Sequence, residues 1–124
     1  MVIWLSPSTS NVHVVYGCPQ RTICLVKITT DDGLTGWGEG YGPAGVIKSA
    51  IEFLTPSVIG KNPLENETLW SEMYQRSLDF GRRGIFLAGL SAIDIALWDI
   101  KGKYFGSVIF PMVFHFLCSN FGVL

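Results

Sequence analysis

The sequence lacks an excess of basic charge, since nine Lys and Arg residues stand against ten Asp and Glu residues and the formal net charge is −1. Without a basic stripe, neither nucleic acid nor an anionic membrane surface is expected as a partner. Cysteine is also scarce: the chain has three, Cys18, Cys24 and Cys118, without a CxxC spacing. This odd number argues against a disulfide framework or a zinc site and indicates a reducing, cytoplasmic location.

Charge is missing altogether from the end of the sequence. No Asp, Glu, Lys or Arg follows Lys103, and this change in composition divides the chain into residues 1–103 and an uncharged apolar tail, residues 104–124. The apolar run over residues 108–118 is interrupted by Pro111 and His115. It is shorter than the roughly 20 residues that a membrane-spanning helix needs, so no membrane span is predicted.

A recognisable catalytic or metal-binding set is absent too. The only Lys-x-Lys pattern, Lys101 to Lys103, ends a predicted helix, where lysines usually complement the helix dipole. His13 and His115 are far apart and have no metal-ligand spacing around them. We therefore predict no catalytic residue and no metal ligand in this chain.

The first half of the chain contains strand signals. Residues 22–29 (TICLVKIT) are rich in β-formers, Asp-Asp-Gly at 31–33 predicts a tight turn, and residues 34–39 return as the partner strand. Residues 2–5 are a short apolar run that predicts a further strand. The Ser-, Pro-, Asn- and Gly-containing stretch over residues 6–20 predicts mostly loop.

Two glycines in the returning strand suggest a close neighbour. Gly36 and Gly38 alternate with Trp37, so one face of this strand carries no side chains over two positions. Such a bare face is typical of a place where another backbone approaches closely.

Three helices are predicted after the hairpin. The first spans residues 44–54 and carries an apolar stripe. The stripe consists of Ile47, Ala50, Ile51 and Leu54. The second begins at Asn62 as the N-cap, with Pro63 in the first turn and Glu65 as the acid of a capping box, and fades near residues 80–81.

The third predicted helix, residues 84–103, is apolar on most of its circumference. Only a line through Ser91, Asp94 and Lys101 is polar. A helix of this kind must be covered on several sides. The order of elements predicts an α+β domain in which an antiparallel hairpin or three-stranded sheet is followed by a three-helix bundle.

Four stretches of the sequence together resemble one protein family. They are TDDGLTGWGEG, a following Gly-Pro loop, IGKNPLENETLW and GLSAIDIALWDIKGK. The set is similar to the N-terminal capping domain of the mandelate racemase and muconate lactonizing enzyme group of the enolase superfamily, over about residues 21–106. The long helix motif is the most specific, and the wording of the second and third helices is most similar to the sugar-acid dehydratases of that group.

The resemblance implies a place for the apolar helix. In the family it lies between the capping helices and a (β/α) barrel, which this chain lacks, since such a barrel needs about 200 residues or more. Asp94 is then expected to satisfy nearby backbone or a basic partner, and a direct part in catalysis is the alternative. Asp99 and Lys103 are expected to form a surface ion pair four residues apart.

The resemblance also implies a chemistry. Family members remove a proton beside a carboxylate with the help of magnesium, whose ligands stand at the ends of barrel strands and are therefore expected to be absent here. Two capping loops select the substrate, and by position they contain His13 and Tyr16 in the first and Tyr41 in the second. Each of the three is either a substrate-binding residue or an ordinary loop residue. An acid-sugar substrate is expected only if a barrel is present.

The tail departs from the family pattern, because no Gly-x-Pro turn and no double glycine follow the third helix. We interpret the chain as a truncated or frame-altered dehydratase or racemase that is inactive alone. A tail docked on the barrel-facing surface and a membrane anchor are the alternatives. A different class of function is a free-standing interaction module that associates with itself or a partner chain through helix 84–103 and the tail. Independent catalysis is a third hypothesis.

Overall fold

The sheet is built from three short antiparallel strands. The computed structural model describes residues 14–16, 22–81 and 83–106. The strands are β1 (Val14–Tyr16), β2 (Thr22–Thr29) and β3 (Thr35–Gly40), and they lie in the order β1-β2-β3. The prediction for β2 is confirmed, and β3 is shifted by one residue. The prediction of loop across residues 6–20 is wrong at β1, because residues 14–16 pair with β2. Residues 2–5 lie outside the described residues.

The predicted turn between β2 and β3 is present and is tied together by Thr30. The Thr30 backbone N–H donates to the Leu34 carbonyl at 2.9 Å, and the Gly33 N–H donates to the Thr30 carbonyl at 3.0 Å. The Leu34 N–H donates to the Thr30 hydroxyl at 3.0 Å. The buried threonine thus closes the hairpin with both its backbone and its side chain.

The three predicted helices all form. They are α1 (Ala44–Leu54), α2 (Asn66–Ser77) and α3 (Ile85–Tyr104), with short 3₁₀ turns over Thr55–Ser57 and Leu78–Phe80. The bounds of α1 agree with the prediction, and its predicted apolar stripe is buried. None of the helices within the described ranges combines the length and apolar character that crossing a membrane requires.

The predicted start of the second helix is wrong by three residues, because the observed N-cap is Glu65 and not Asn62. Asn62 does not cap α2; its Oδ1 accepts a hydrogen bond from the Leu64 N–H at 3.1 Å, and the Glu65 N–H donates to the Asn62 carbonyl at 3.2 Å. These bonds form a separate turn that buries Pro63 completely. Glu65 therefore precedes α2 instead of serving as its capping-box acid, and α2 begins at Asn66.

α3 and β3 approach each other more closely than side chains would permit. A Cβ atom on Gly36 would lie 2.1 Å from the Ala96 carbonyl oxygen, and one on Gly38 would lie 1.9 Å from the Ala92 carbonyl oxygen. Both distances are far inside van der Waals contact, so only glycine fits at these positions. The expectation that a backbone lies against the bare face of β3 is confirmed.

α3 is the centre of the fold, as its composition predicts. It packs against β3, α1 and α2, and its buried residues join those of β2 and α1 in one core. Cys24 of β2 belongs to this core and is fully buried as a free thiol. The architecture is the predicted α+β domain, with the helices packed on one face of an antiparallel sheet.

Candidate functional site

Tyr41 occupies the short connection between β3 and α1. Its side chain is 92% exposed, the largest exposed fraction among the large apolar and aromatic residues that are described. The connection is brief because the Pro43 carbonyl already accepts hydrogen bonds from the N–H groups of Val46 and Ile47, at 3.0 and 3.1 Å. The loop therefore projects an aromatic ring with a hydroxyl tip into solvent from a well-anchored base.

Tyr16 lies at the same end of the sheet as Tyr41. The register pairs Val14 with Cys24 and Cys24 with Gly40, so these three residues form one row across the sheet. Beyond that row, β1 continues to Tyr16 and β3 continues to Tyr41. The topology thus brings two of the three predicted substrate-binding positions to one end of the sheet, and His13 lies outside the described residues.

The opposite end of β3 is held by two charged residues of α3. The Lys103 Nζ lies 2.7 Å from the Asp99 Oδ2, which confirms the predicted ion pair. The same Asp99 oxygen accepts a hydrogen bond from the Trp37 backbone N–H at 3.0 Å, and the Lys103 Nζ donates to the Thr35 carbonyl at 2.6 Å. The pair therefore satisfies backbone groups on the edge of the sheet that faces away from β2.

Asp94 lies in an open cleft of about 230 Å³ between α2 and α3. The walls of the cleft are formed by Asn66, Glu67, Trp70 and Trp98. The Asp94 side chain is half-buried, and burial raises the pKa of its carboxyl group above the ordinary value of 3.8.

The expectation that Asp94 satisfies backbone or a basic partner is wrong within the described residues. No hydrogen bond or ion pair there reaches its carboxylate, because the nearby basic side chains are engaged elsewhere. Lys101, one turn beyond Trp98, lies over the indole ring with its Nζ 4.9 Å from the ring centroid. Asp94 is consequently a half-buried carboxylate with no counter-charge in this part of the chain.

Asn66 joins the two helices beneath this cleft. Its side chain is buried, and with the amide nitrogen facing the carbonyls of Pro63 and Leu64, at 3.3 and 3.2 Å, the amide oxygen accepts a hydrogen bond from the Trp98 backbone N–H at 3.2 Å. Trp70, four residues along α2, stacks on Tyr74 with ring centroids 5.0 Å apart. Asn66 therefore joins α2 to the backbone of α3, and a neighbouring ring holds the Trp70 indole.

Sequence reasoning missed this cleft as a unit. It did not single out Asn66, Trp70 or Trp98 as members of a site. A signal was available, since Asn66 and Trp70 are four residues apart on one helix and Asp94 and Trp98 are four apart on another. The spacing shows that each pair shares a face, but not that the two faces meet.

The described residues do not fit a magnesium ion. Within residues 14–16, 22–81 and 83–106, no three His, Cys, Asp or Glu side chains cluster closely enough to hold a metal. Asp94 and Glu67 line one cleft, but two carboxylates beside two indoles fall short of the oxygen-rich shell that magnesium prefers. No catalytic step through a metal is derived from these residues.

Comparison with known families agrees with the fold and the motifs. The family model described as "Mandelate racemase / muconate lactonizing enzyme, N-terminal domain" matches residues 4–112. The chain belongs to this family. The resemblance found from the four sequence motifs is therefore confirmed, and the match includes both the Tyr41 loop and the Asp94 cleft.

Individual relatives of this mandelate racemase/muconate lactonizing enzyme family member are sugar-acid dehydratases and cycloisomerases. D-galactarolactone cycloisomerase of Agrobacterium fabrum is 44% identical over 90 residues, which are 73% of this chain and 24% of the relative. D-galactonate dehydratase of Verminephrobacter eiseniae is 39% identical over 101 residues, 79% of this chain and 26% of the relative. The chain thus spans about a quarter of the length of these relatives.

Solved structures show the same fold. The 3,6-anhydro-D-galactonate cycloisomerase from Zobellia galactanivorans is 62% identical, with a TM-score of 0.67 over 68% of this chain and 24% of the other. A mandelate racemase/muconate lactonizing protein from Paracoccus denitrificans, crystallised with magnesium, is 36% identical, with a TM-score of 0.68 over 74% of this chain and 26% of the other.

Proposed function

We propose that this chain acts as the substrate-selecting cap of a magnesium-dependent enzyme that dehydrates or isomerises an acid sugar. The reaction itself is assigned to a catalytic domain outside the described residues. The names of the relatives support the substrate class, since they act on galactonate, galactarolactone or anhydrogalactonate. The magnesium complex of one structural relative supports the choice of metal.

The exposed Tyr41 at the end of β3 carries the proposal. A phenol ring projecting from a short loop can stack on the apolar face of a sugar-acid carbon chain while its hydroxyl group bonds a substrate hydroxyl. β1 ends at Tyr16 at the same end of the sheet, so the Tyr16 position can contribute to the same mouth as Tyr41. The Tyr41 side chain lies outside the buried core of the fold.

A chimera with a complete relative tests the proposal. Residues 4–112 replace the equivalent segment of the Zobellia 3,6-anhydro-D-galactonate cycloisomerase, which is 62% identical over the aligned part. We expect the chimera to fold and to convert 3,6-anhydro-D-galactonate only with magnesium present. A chimera that is folded by circular dichroism, yet inactive on this compound and on a panel of other sugar acids, would contradict the proposal.

The isolated chain provides the complementary measurement. With magnesium and the same panel of sugar acids, it is expected to give no turnover above a protein-free control, because no cluster of His, Cys, Asp or Glu side chains in the described residues could hold the metal. Turnover that tracks the purified chain and disappears on chelation of magnesium would show that the catalytic groups lie within this chain after all.

Self-association is a second candidate function, favoured by the apolar surface of α3 and its end. The exposed fractions are 47% for Ile95, 52% for Tyr104 and 58% for Phe105. Sedimentation velocity at micromolar concentration is the test, with Ile95→Glu as the disruptive variant and Ile59→Glu, on a 40% exposed residue outside α3, as the control. A dimer lost only in the Ile95 variant supports this function, and a monomer excludes it at that concentration.

A further inference from the structure

The cleft around Asp94 combines two features that recognise an organic cation. Its walls contain the indoles of Trp70 and Trp98, whose faces carry negative electrostatic potential. Asp94 and Glu67 add two carboxylates, and the Asp94 group is the more buried of the two. An anion or a neutral apolar group would leave the Asp94 carboxylate desolvated without compensation.

The basic side chains of the described residues do not supply the missing cation. Lys61 pairs with Glu72, and Lys103 pairs with Asp99. Lys48 pairs with Glu52, while Arg76 donates to the Phe53 carbonyl at 2.9 Å. Lys101 comes nearest to the cleft, but its ammonium group lies over the Trp98 ring rather than at the carboxylate of Asp94. Lys27 lies over the Trp37 ring and Arg83 lines a different cleft, so no basic side chain of the described residues is placed at the Asp94 carboxylate.

The surroundings of the cleft indicate that the source is a polypeptide. Ile95, the residue after Asp94 on α3, is 47% exposed, and Trp70 is 37% exposed. Exposed tryptophan and aliphatic side chains close to a partly desolvated carboxylate are typical of protein interfaces, which are enriched in aromatic residues and in arginine. The proposed cap function already requires a second domain, whereas a free metabolite would not need these exposed apolar side chains.

We propose that an arginine side chain of the polypeptide that covers α3 enters the cleft and pairs with Asp94. This inference rests on the proposed function, because that polypeptide is the catalytic domain. Arginine fits better than lysine, since its planar guanidinium can stack on an indole while two of its N–H groups bond one carboxylate. Once covered, the pair fixes the orientation of the cap on the catalytic domain more than it adds affinity.

A model compound tests the chemistry of the cleft on the full chain. Nα-acetyl-arginine amide is titrated into the protein while the indole N–H signals are followed by NMR, and the neutral isostere Nα-acetyl-citrulline amide serves as the ligand control. We expect the Trp70 and Trp98 signals to move with the arginine compound and not with citrulline. Trp37 is the internal control, since it lies on the sheet beside Lys27.

Matched variants assign the effect to Asp94. Asp94→Asn keeps the shape of the side chain and removes its charge, and we expect it to weaken arginine binding about fivefold or more. Glu67→Gln changes the other, exposed carboxylate of the same cleft and is expected to weaken binding less than about twofold. Both changes are isosteric, and a circular dichroism spectrum equal to the parent's confirms that each variant folds.

Several results would overturn the inference. Equal shifts with arginine and citrulline, no shift at all, or unchanged binding in Asp94→Asn would each show that the cleft does not recognise a guanidinium through Asp94. A dimer in which Asp94→Asn raises the dissociation constant would assign the cleft to a second copy of this chain. These results are independent of the chimera assay, whose failure contradicts the proposed function and leaves arginine binding to be judged on its own data.

Discussion

The Asp99 Oδ2 accepts a hydrogen bond from the backbone N–H of Trp37 at 3.0 Å, across 62 positions of sequence. The sequence predicts Asp99 only as half of a surface ion pair, which stabilises a helix by a few tenths of a kcal/mol. In the fold the same oxygen joins the end of α3 to the outer edge of the sheet. Lys103 repeats the connection through the Thr35 carbonyl.

Removing the Asp99 carboxylate should therefore lower the free energy of unfolding by more than the loss of an ordinary surface ion pair would. We expect Asp99→Ala to lower the free energy of unfolding by about 1–2 kcal/mol, because a charged acceptor of a backbone N–H is lost together with the ion pair. Urea denaturation measures the change. Glu52→Ala, which removes the exposed pair with Lys48, is the control and should cost less than about 0.5 kcal/mol. If both variants lose the same free energy of unfolding, the hydrogen bond from the Trp37 N–H to Asp99 does not stabilise the protein.

The close contact of β3 with α3 leads to a second prediction. Gly38→Ala places a Cβ 1.9 Å from the Ala92 carbonyl oxygen, so backbone must move, and we expect a loss of about 3 kcal/mol or more, or a chain that does not fold. Gly45→Ala is the matched control, because its Cβ meets nothing within 4 Å and the residue lies in α1. That change should stabilise the protein by about 0.5–1 kcal/mol in thermal or urea unfolding. A Gly38→Ala variant as stable as the parent would contradict the close packing.

A third prediction concerns the pH dependence caused by Asp94. Burial raises the pKa of this carboxyl group in the folded state, so the folded protein binds its proton more tightly than the unfolded chain does. The contribution of Asp94 to stability is therefore most favourable below pH 3.8, the pKa of the group in the unfolded chain. This contribution is lost as the pH rises through the higher pKa of the folded state. At neutral pH, Asp94→Asn should be slightly more stable than the parent, by a few tenths of a kcal/mol, because solvent screens much of this half-exposed charge, which has no partner among the described residues.

Denaturation curves for both proteins between pH 3 and pH 7 test that sign. The advantage of the Asp94→Asn variant should shrink as the pH falls, because protonation neutralises the parent's carboxyl group. Glu67→Gln, at the exposed acid of the same cleft, is the matched control at each pH. An Asp94→Asn variant that is less stable than the parent at pH 7 would mean that the carboxylate has a favourable partner.

Much of the fold could be predicted because the deciding interactions are local. The Asp-Asp-Gly turn determines which strands pair, and the stripe of α1 shows which face is buried. The prediction was wrong at Asn62. The residues there resemble a helix N-cap, but they form a separate turn that buries Pro63. A sequence pattern does not distinguish these two uses, since both place a side-chain oxygen near the next backbone N–H groups.

The candidate sites were less predictable because they depend on contacts between distant segments. Tyr41 was found from its family position, and the registers of β1 with β2 and of β2 with β3 then placed Tyr16 at the same end of the sheet. The Asp94 cleft needs α2 and α3 side by side, which neither helix pattern encodes. That no described residue pairs with Asp94 likewise becomes visible only once the contacts of Lys61 and Lys101 are known.

Substrate selection by Tyr41 in the chimera is the most direct test of the capping function. Tyr41→Ala should leave folding unchanged, because the side chain is 92% exposed, and should lower kcat/KM for 3,6-anhydro-D-galactonate by about tenfold or more through loss of ring and hydroxyl contacts. Tyr41→Phe separates the two contributions and should lie between Tyr41→Ala and the parent. If both variants retain the parent's kcat/KM and its preference among sugar acids, this loop does not select substrate and the proposed function of the cap is wrong.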